Sequence, residues 1–176
     1  PFIPLNKTYG CYPDGDKTQR GYLETPTIGM VTDERASGAP NAPKINLPPV
    51  VQVRSYRGVT KDGNGETFTK IVDPSQQIRV LATIRDYDDP QPDDNDNNLK
   101  EVVLYWREAG NPNERSIAME PIVEPDRPAC DFEARIPALN KNTVVEFWIR
   151  AEDKQGGVTK AYANAINELP FVVPVG

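Results

Sequence analysis

The stretch Val144–Glu152 constrains the fold of this chain more than any other part of its sequence. Apolar and polar side chains alternate along it, with Val145, Phe147, Ile149 and Ala151 on one face and Glu146, Trp148, Arg150 and Glu152 on the other. A period of two residues is that of a β-strand with one buried face. Asp153 and the paired glycines 156 and 157 then predict a turn, and Val158 begins a returning strand. We therefore expect an antiparallel sheet packed on a core.

The composition favours an all-β protein and argues against several functions. Among 176 residues there are 18 prolines and 12 glycines, which favour short strands joined by turns over long helices. The net charge of −6 does not fit nucleic-acid binding, which requires basic residues to neutralise phosphates. The chain has no histidine, so it can form neither a Ser-His-Asp triad nor a His-ligated zinc site. We expect a protein that is not an enzyme.

Short segments bounded by turn residues predict nine strands in the second part of the chain. They are Val50–Tyr56, Phe68–Val72, Gln77–Arg85, Glu101–Glu108, Ser116–Pro121, Asp131–Ile136, Val144–Glu152, Val158–Tyr162 and Phe171–Val173. In the third of these, Ile78, Val80, Ala82 and Ile84 are predicted to face the core. In the fourth, the core face is either Val102, Leu104 and Trp106 or the opposite set with Val103 and Tyr105.

Two short motifs resemble those of a known family. The Val144 strand ends in Ala151-Glu152-Asp153 before a glycine-containing turn, and Ile136-Pro137-Ala138-Leu139 precedes it with a polar turn between. Both resemble the immunoglobulin-like and fibronectin-III-like β-sandwiches of prokaryotic extracellular and cell-surface proteins. The resemblance implies a Greek-key β-sandwich over residues 49–176 and a non-catalytic role at the cell surface. It does not imply one function, because such sandwiches serve in adhesion, assembly and spacing alike.

Residues 1–48 are predicted to form an N-terminal arm that is rich in Pro and Gly and mostly irregular. Only residues 21–32 contain enough apolar side chains to pack on another surface, and we take Tyr22 and Ile28 as its interaction residues. Asn6-Lys7-Thr8 has the form of a glycosylation sequon. Because the first residue is Pro, we expect a processed product of an exported protein. No apolar run has the length of a membrane span.

The two cysteines, Cys11 and Cys130, lie far apart and form no Cys-x-x-Cys motif. They are either one disulfide or two separate thiols. The extracellular character expected for the chain favours the disulfide, which would join the arm to the sandwich. In the chain-entropy model, closing so long a loop contributes about 4–5 kcal/mol.

An acidic loop between two core strands is the candidate metal site. Residues 86–98 contain six Asp and three Asn, which repel one another unless they are solvated or neutralised by a cation. Calcium accepts six to eight oxygen ligands in a flexible geometry. Because Asp86 and Asp153 each end a core strand, both are expected at the same pole of the sandwich. We predict Ca²⁺ at Asp86, Asp88, Asp89 and Asp153, with a merely solvated loop as the alternative.

Trp148 points away from Phe147 and Ile149, so we expect it to be exposed on the outer face of its sheet. It could contact another subunit, the arm or a sugar. The function expected is that of a structural subunit of an extracellular filament, pilus or sheath, assembled from copies of itself through the arm and the edges of the sandwich. The alternative is a monomeric adhesion or carbohydrate-binding module of a secreted protein.

Overall fold

The structure is a computed structural model. It describes residues 46–86, 98–122 and 130–176 in full, and the backbone of Thr8–Cys11 and Arg20–Leu23. The described residues form twelve β-strands and no helix. In chain order the strands are β1 (Thr8–Cys11), β2 (Arg20–Leu23), β3 (Val50–Asp62), β4 (Gly65–Thr69), β5 (Gln77–Arg85), β6 (Leu99–Glu108), β7 (Arg115–Ala118), β8 (Glu120–Pro121), β9 (Asp131–Ile136), β10 (Thr143–Asp153), β11 (Val158–Ala161) and β12 (Phe171–Val175).

Strands β3 to β12 form two antiparallel sheets. One has the order β4-β3-β5-β9-β8 and the other the order β11-β10-β6-β7. Strand β12 also pairs with β10, on the first half of that strand, whereas β11 pairs with its second half. The chain crosses between the sheets from β5 to β6, from β7 to β8 and from β9 to β10. The all-β, sandwich-like fold predicted from the sequence is thereby confirmed.

One hydrophobic core lies between the two sheets. The inward side chains of β5 and β9 meet those of β6, β10 and β12 in a single buried cluster. All four residues predicted to face inward from β5 are essentially inaccessible, as are the four from β10. In β6 the buried set is Val102, Leu104 and Trp106. The two-residue alternation of these strands is therefore the direct cause of the sandwich, because each sheet has one apolar face to remove from water.

The predicted strands agree with the observed ones in the core and differ at the edges. Strand β3 extends to Asp62 instead of Tyr56, because its second half pairs with β4 across a hairpin at Gly63 and Asn64. Strand β4 occupies Gly65–Thr69 instead of the predicted Phe68–Val72. These edge segments lack a clear alternation of apolar residues, and the turn sets their boundaries.

The predicted strand Ser116–Pro121 is in fact two strands in different sheets. Strand β7 pairs with β6, whereas β8 pairs with β9 in the opposite sheet. Between them lies Met119, which is 5 % exposed and whose amide donates to the carbonyl of Val102 at 2.9 Å. The chain passes from one sheet to the other at this methionine, whose side chain is buried in the core between them.

The arm contains a hairpin that the sequence did not predict. Strands β1 and β2 pair antiparallel, with Tyr9 opposite Tyr22 and Cys11 opposite Arg20. The segment lacks a clear period, so the pairing could not be read from side-chain alternation. The predicted boundary between arm and sandwich at residues 48 and 49 stays a prediction, although β3 begins next to it.

Phe147 should be among the costliest core residues to truncate. It is fully buried and stacks on Phe171 with ring centroids 5.0 Å apart. We expect Phe147→Ala to lower the free energy of unfolding by about 3–5 kcal/mol, because it leaves a cavity between the sheets. The control is Val144→Ala in the same strand, where the side chain is 37 % exposed and the loss should stay below about 1 kcal/mol. Urea denaturation measures both, and equal losses would contradict this description of the core.

Candidate functional site

Asp86 and the turn after Asp153 lie at the same pole of the sandwich, as the sequence analysis predicted. The residue that joins them is Asn98. Its side-chain amide donates to Asp86 Oδ2 at 2.7 Å and to Gln155 Oε1 at 2.6 Å. Its carbonyl accepts from the amide of Lys154 at 2.9 Å. Asn98 therefore joins three segments by hydrogen bonds: the start of the β5–β6 loop, the end of that loop and the β10–β11 turn.

Asn98 itself is 7 % exposed and has a φ of 54°, in the left-handed region. Asparagine tolerates this conformation better than most residues. Asn98 belongs to the acidic loop of the sequence, and no separate role was predicted for it. In the sequence, the role of Asn98 is indicated by its position directly before Leu99, the first residue of β6.

Asp153 is completely buried and has partners inside the fold. The side-chain amide of Asn46 donates to its two carboxylate oxygens at 3.0 and 3.2 Å, and the amide of Gly157 donates to Oδ1 at 2.8 Å. A buried carboxylate is stable only when such donors compensate for its lost hydration. Asp153 thus joins the segment before β3 to the β10–β11 turn, a role that the sequence analysis did not foresee.

The predicted calcium site is only partly within the described residues, since Asp88 and Asp89 lie outside them. Among the side chains that the structure describes, no three His, Cys, Asp or Glu residues form a group that could hold a metal ion. Asp86 and Asp153 share a pole, but each has other hydrogen-bond partners there. Calcium binding by the acidic loop stays a prediction.

Gly157 is required for the contact between Asp153 and Asn46. A Cβ atom at this position would lie 2.2 Å from Asp153 Oδ2, 2.7 Å from Asn46 Nδ2 and 3.0 Å from the backbone of Pro48. We expect Gly157→Ala to lower the free energy of unfolding by about 1–3 kcal/mol, because the buried carboxylate must shift from its donors.

The matched control for Gly157→Ala is Gly63→Ala. No atom lies within 4 Å of a Cβ placed there, so the change should alter the free energy of unfolding by less than about 1 kcal/mol. Chemical denaturation compares the two variants. If both proved equally stable, the close packing around Asp153 would not contribute to stability.

Calcium binding can be tested directly by thermal unfolding. If the acidic loop binds Ca²⁺ in the folded state only, millimolar Ca²⁺ should raise the Tm above its value in chelator. The added stability is about 2.7 kcal/mol when Ca²⁺ is in hundredfold excess over Kd. The double substitution Asp88→Asn and Asp89→Asn should remove most of this shift. The Gly63→Ala protein serves as the control that retains it. An identical Tm in chelator and in Ca²⁺ would exclude the site.

The other predicted site residues are placed as follows. Cys130 precedes β9, is half-buried and has a free thiol, so the structure does not support the disulfide with Cys11. The side chain of Cys11 lies outside the described residues, and the pairing stays a prediction. Tyr22 lies in β2, with only its backbone described, and Ile28 and Asn6 lie outside the described residues.

Trp148 lies on the outer face of its sheet, as predicted, but it is not exposed. Only 9 % of its surface is accessible, because Tyr105 and Tyr162 stack on it at centroid distances of 5.9 and 6.1 Å. The guanidinium of Arg107 lies over the same ring at 5.8 Å. The prediction of an exposed tryptophan was wrong because Tyr105 of β6 and Tyr162, directly after β11, cover its ring.

Charged side chains occupy the rest of this outer face. Glu101 and Glu152 lie directly opposite each other, and Arg150 forms an ion pair with both. Lys100 also contacts Glu152, at 2.6 Å. The hydrogen bonds from Lys100 and then Arg150 lower the pKa of Glu152. Two like charges in adjacent strands are thereby neutralised by cations placed between and beside them.

A pocket of about 170 Å³ opens beside Trp148. Its lining residues come from β6, β10 and the segments before β7 and after β11: Arg107, Glu114, Trp148, Tyr162, Glu168 and Pro170. Burial raises the pKa of Tyr162, and the negative charges of Glu168 and Glu114 raise it further. Both carboxylates line the same pocket as Tyr162.

The first half of β3 has a free edge. Strand β3 pairs with β5 over residues 50–59, but β4 covers its other side only from Gly58 to Asp62. In the described part of the chain, no strand pairs with that side of residues 50–57. Val50 and Tyr56 are exposed there, at 46 % and 39 %. An edge of this kind presents unpaired backbone groups to any extended segment that reaches it.

Comparison with known proteins adds no family: neither a protein-family model nor a curated protein matches this chain. The part of the chain that the structure describes has no helix that is long and apolar enough to cross a membrane.

Proposed function

We propose that this chain is a non-catalytic structural module of an extracellular assembly, in which the N-terminal arm of one copy adds a strand to the free edge of β3 in the next copy. The observation that carries the proposal is this edge. It extends over residues 50–57, lies close to the point where the arm joins the sandwich and includes exposed apolar side chains. Strand addition of this kind uses backbone hydrogen bonds for affinity and side-chain contacts for specificity.

The strand order supports the immunoglobulin-like part of the proposal. In one sheet β5 lies between β3 and β9, and in the other β10 lies between β6 and β11. An immunoglobulin-like Greek-key sandwich has the same neighbouring strands in each sheet. Sandwiches of this class are rigid spacers with two sheet edges on each side. They suit a module that repeats along a filament at a cell surface.

The donor strand is best assigned to residues 24–32 of the arm. The residues before them, Gly21–Leu23, already pair with β1. The remaining part includes Ile28 and Met30 and has the length of the open edge. Ordering each residue costs about 1–2 kcal/mol, so the new backbone hydrogen bonds and the burial of Val50 and Tyr56 must together offset it.

Assembly in trans would produce a filament. When the arm of each copy binds the edge of the next, the contact is head-to-tail, and it forms an open chain of subunits if the rotation between copies does not close a ring. Binding of the arm to its own edge would instead give a monomer, which is the adhesion-module alternative. The length of the connecting segment allows both, since residues 33–45 can extend over about 40 Å.

The assembly is tested by sedimentation velocity over a wide range of concentrations. We expect the full chain to form concentration-dependent oligomers and a chain lacking residues 1–45 to stay monomeric. The truncation must retain Asn46, because its side chain bonds the buried Asp153. In the full chain, Ile28→Pro should reduce assembly, since proline removes a backbone donor from the added strand.

The matched control is Ser37→Pro, which lies in the same arm outside the donor segment and should assemble normally. The truncated protein should give the same far-ultraviolet circular dichroism per folded residue as the sandwich in the full chain. A full chain that sediments as a monomer at every concentration would refute assembly in trans.

A further inference from the structure

The pocket beside Trp148 includes no residue of β3, and the proposed assembly does not use it. It sits on the outer face of the sheet that contains β10, between the aromatic side chains of that face and the segment that follows β11. Its volume of about 170 Å³ is below the range typical of drug-sized ligands and suits a single side chain.

The charges around the pocket do not cancel. Arg107 is paired with Glu146 at 2.7 Å, so its positive charge is compensated. Glu114 and Glu168 have no ion-pair partner among the described residues. These four residues therefore contribute one positive and three negative charges. The pocket attracts a cation and repels an anion.

The walls of the pocket are aromatic and held in place. Trp148 is fixed between Tyr105 of β6 and Tyr162, the residue after β11, and both tyrosines stack on its ring. Trp148, Tyr162 and Pro170 line the pocket and give it apolar walls. Apolar walls beside two carboxylates suit an organic ammonium group, because its stem packs on the walls while its charge meets the carboxylates.

We propose that this pocket binds an alkylammonium group, specifically the side chain of a lysine presented by another polypeptide. A lysine lays its apolar stem along the walls of the pocket while its ammonium group meets Glu114 and Glu168. An acidic ligand is disfavoured by the same two carboxylates. A sugar would need a broad exposed ring face, and Trp148 is only 9 % exposed.

The test is a titration of the full chain, labelled with ¹⁵N, with Nα-acetyl-lysine methylamide. The signal of the Trp148 indole should shift with a dissociation constant on the order of millimolar, as expected for a ligand of this size. The chain has a second tryptophan, Trp106, which is 2 % exposed in the core and should not respond. Raising the ionic strength should weaken the binding, because the attraction is partly ionic.

Three comparisons make the result specific. Nα-acetyl-norleucine methylamide, which lacks the ammonium group, should bind at least about threefold more weakly. Glu168→Gln and Glu114→Gln should each weaken lysine binding by a similar factor. Glu120→Gln, which changes an exposed glutamate in β8 of the opposite sheet, should leave it unchanged.

The proposal is overturned if the Trp148 signal does not shift, or if the norleucine compound shifts it equally. It is also overturned if glucose shifts the same signals regardless of ionic strength, since the pocket would then recognise a neutral sugar. Neither result bears on assembly through the β3 edge, because Glu168→Gln should sediment as the unmodified chain does.

Discussion

Strand β10 is the element on which the rest of the structure depends, because it is hydrogen-bonded along both sides and packed on both faces. It pairs with β6 on one side and with β11 and β12 in succession on the other. Its inward residues, which include Phe147 and Ile149, are inaccessible to solvent. Its outward residues hold the aromatic stack and the ion pairs. A change in the register of this strand would exchange the two sets and would expose the core.

Each outer face places two like charges opposite each other, negative on the sheet of β10 and positive on the other sheet. On the sheet of β10, Glu101 faces Glu152 and Arg150 bridges them. On the other sheet, Arg79 faces Arg135 and Glu133 contacts both. Each face therefore carries a pair of like charges that is stable only with a third residue of opposite sign. Exposed ion pairs of this kind contribute little stability individually, but they disfavour other registers.

The sequence was sufficient to predict the core and insufficient to predict the surface. Alternation in β5 and β10 identifies their buried faces because one face is apolar and the other polar. In β6 both faces carry apolar residues, so the sequence left two alternatives and only the structure assigns Val102, Leu104 and Trp106 to the core. The cover over Trp148 depends on Tyr105 and Tyr162, which are distant in sequence and meet only when the strands pair. For the same reason, the role of Asp153 could not be assigned before its partner Asn46 was known. Strand β8 was misassigned because a change of sheet leaves no mark in a local pattern.

The bond between Asn46 and Asp153 also lies where a pull on the segment before β3 would first act on the sandwich. The chain enters the fold through this contact, directly before β3. Tension along the arm therefore reaches the buried carboxylate and the β10–β11 turn before it reaches the pairing of β3 with β5. That load is divided between both sheets at one pole instead of peeling a single edge strand.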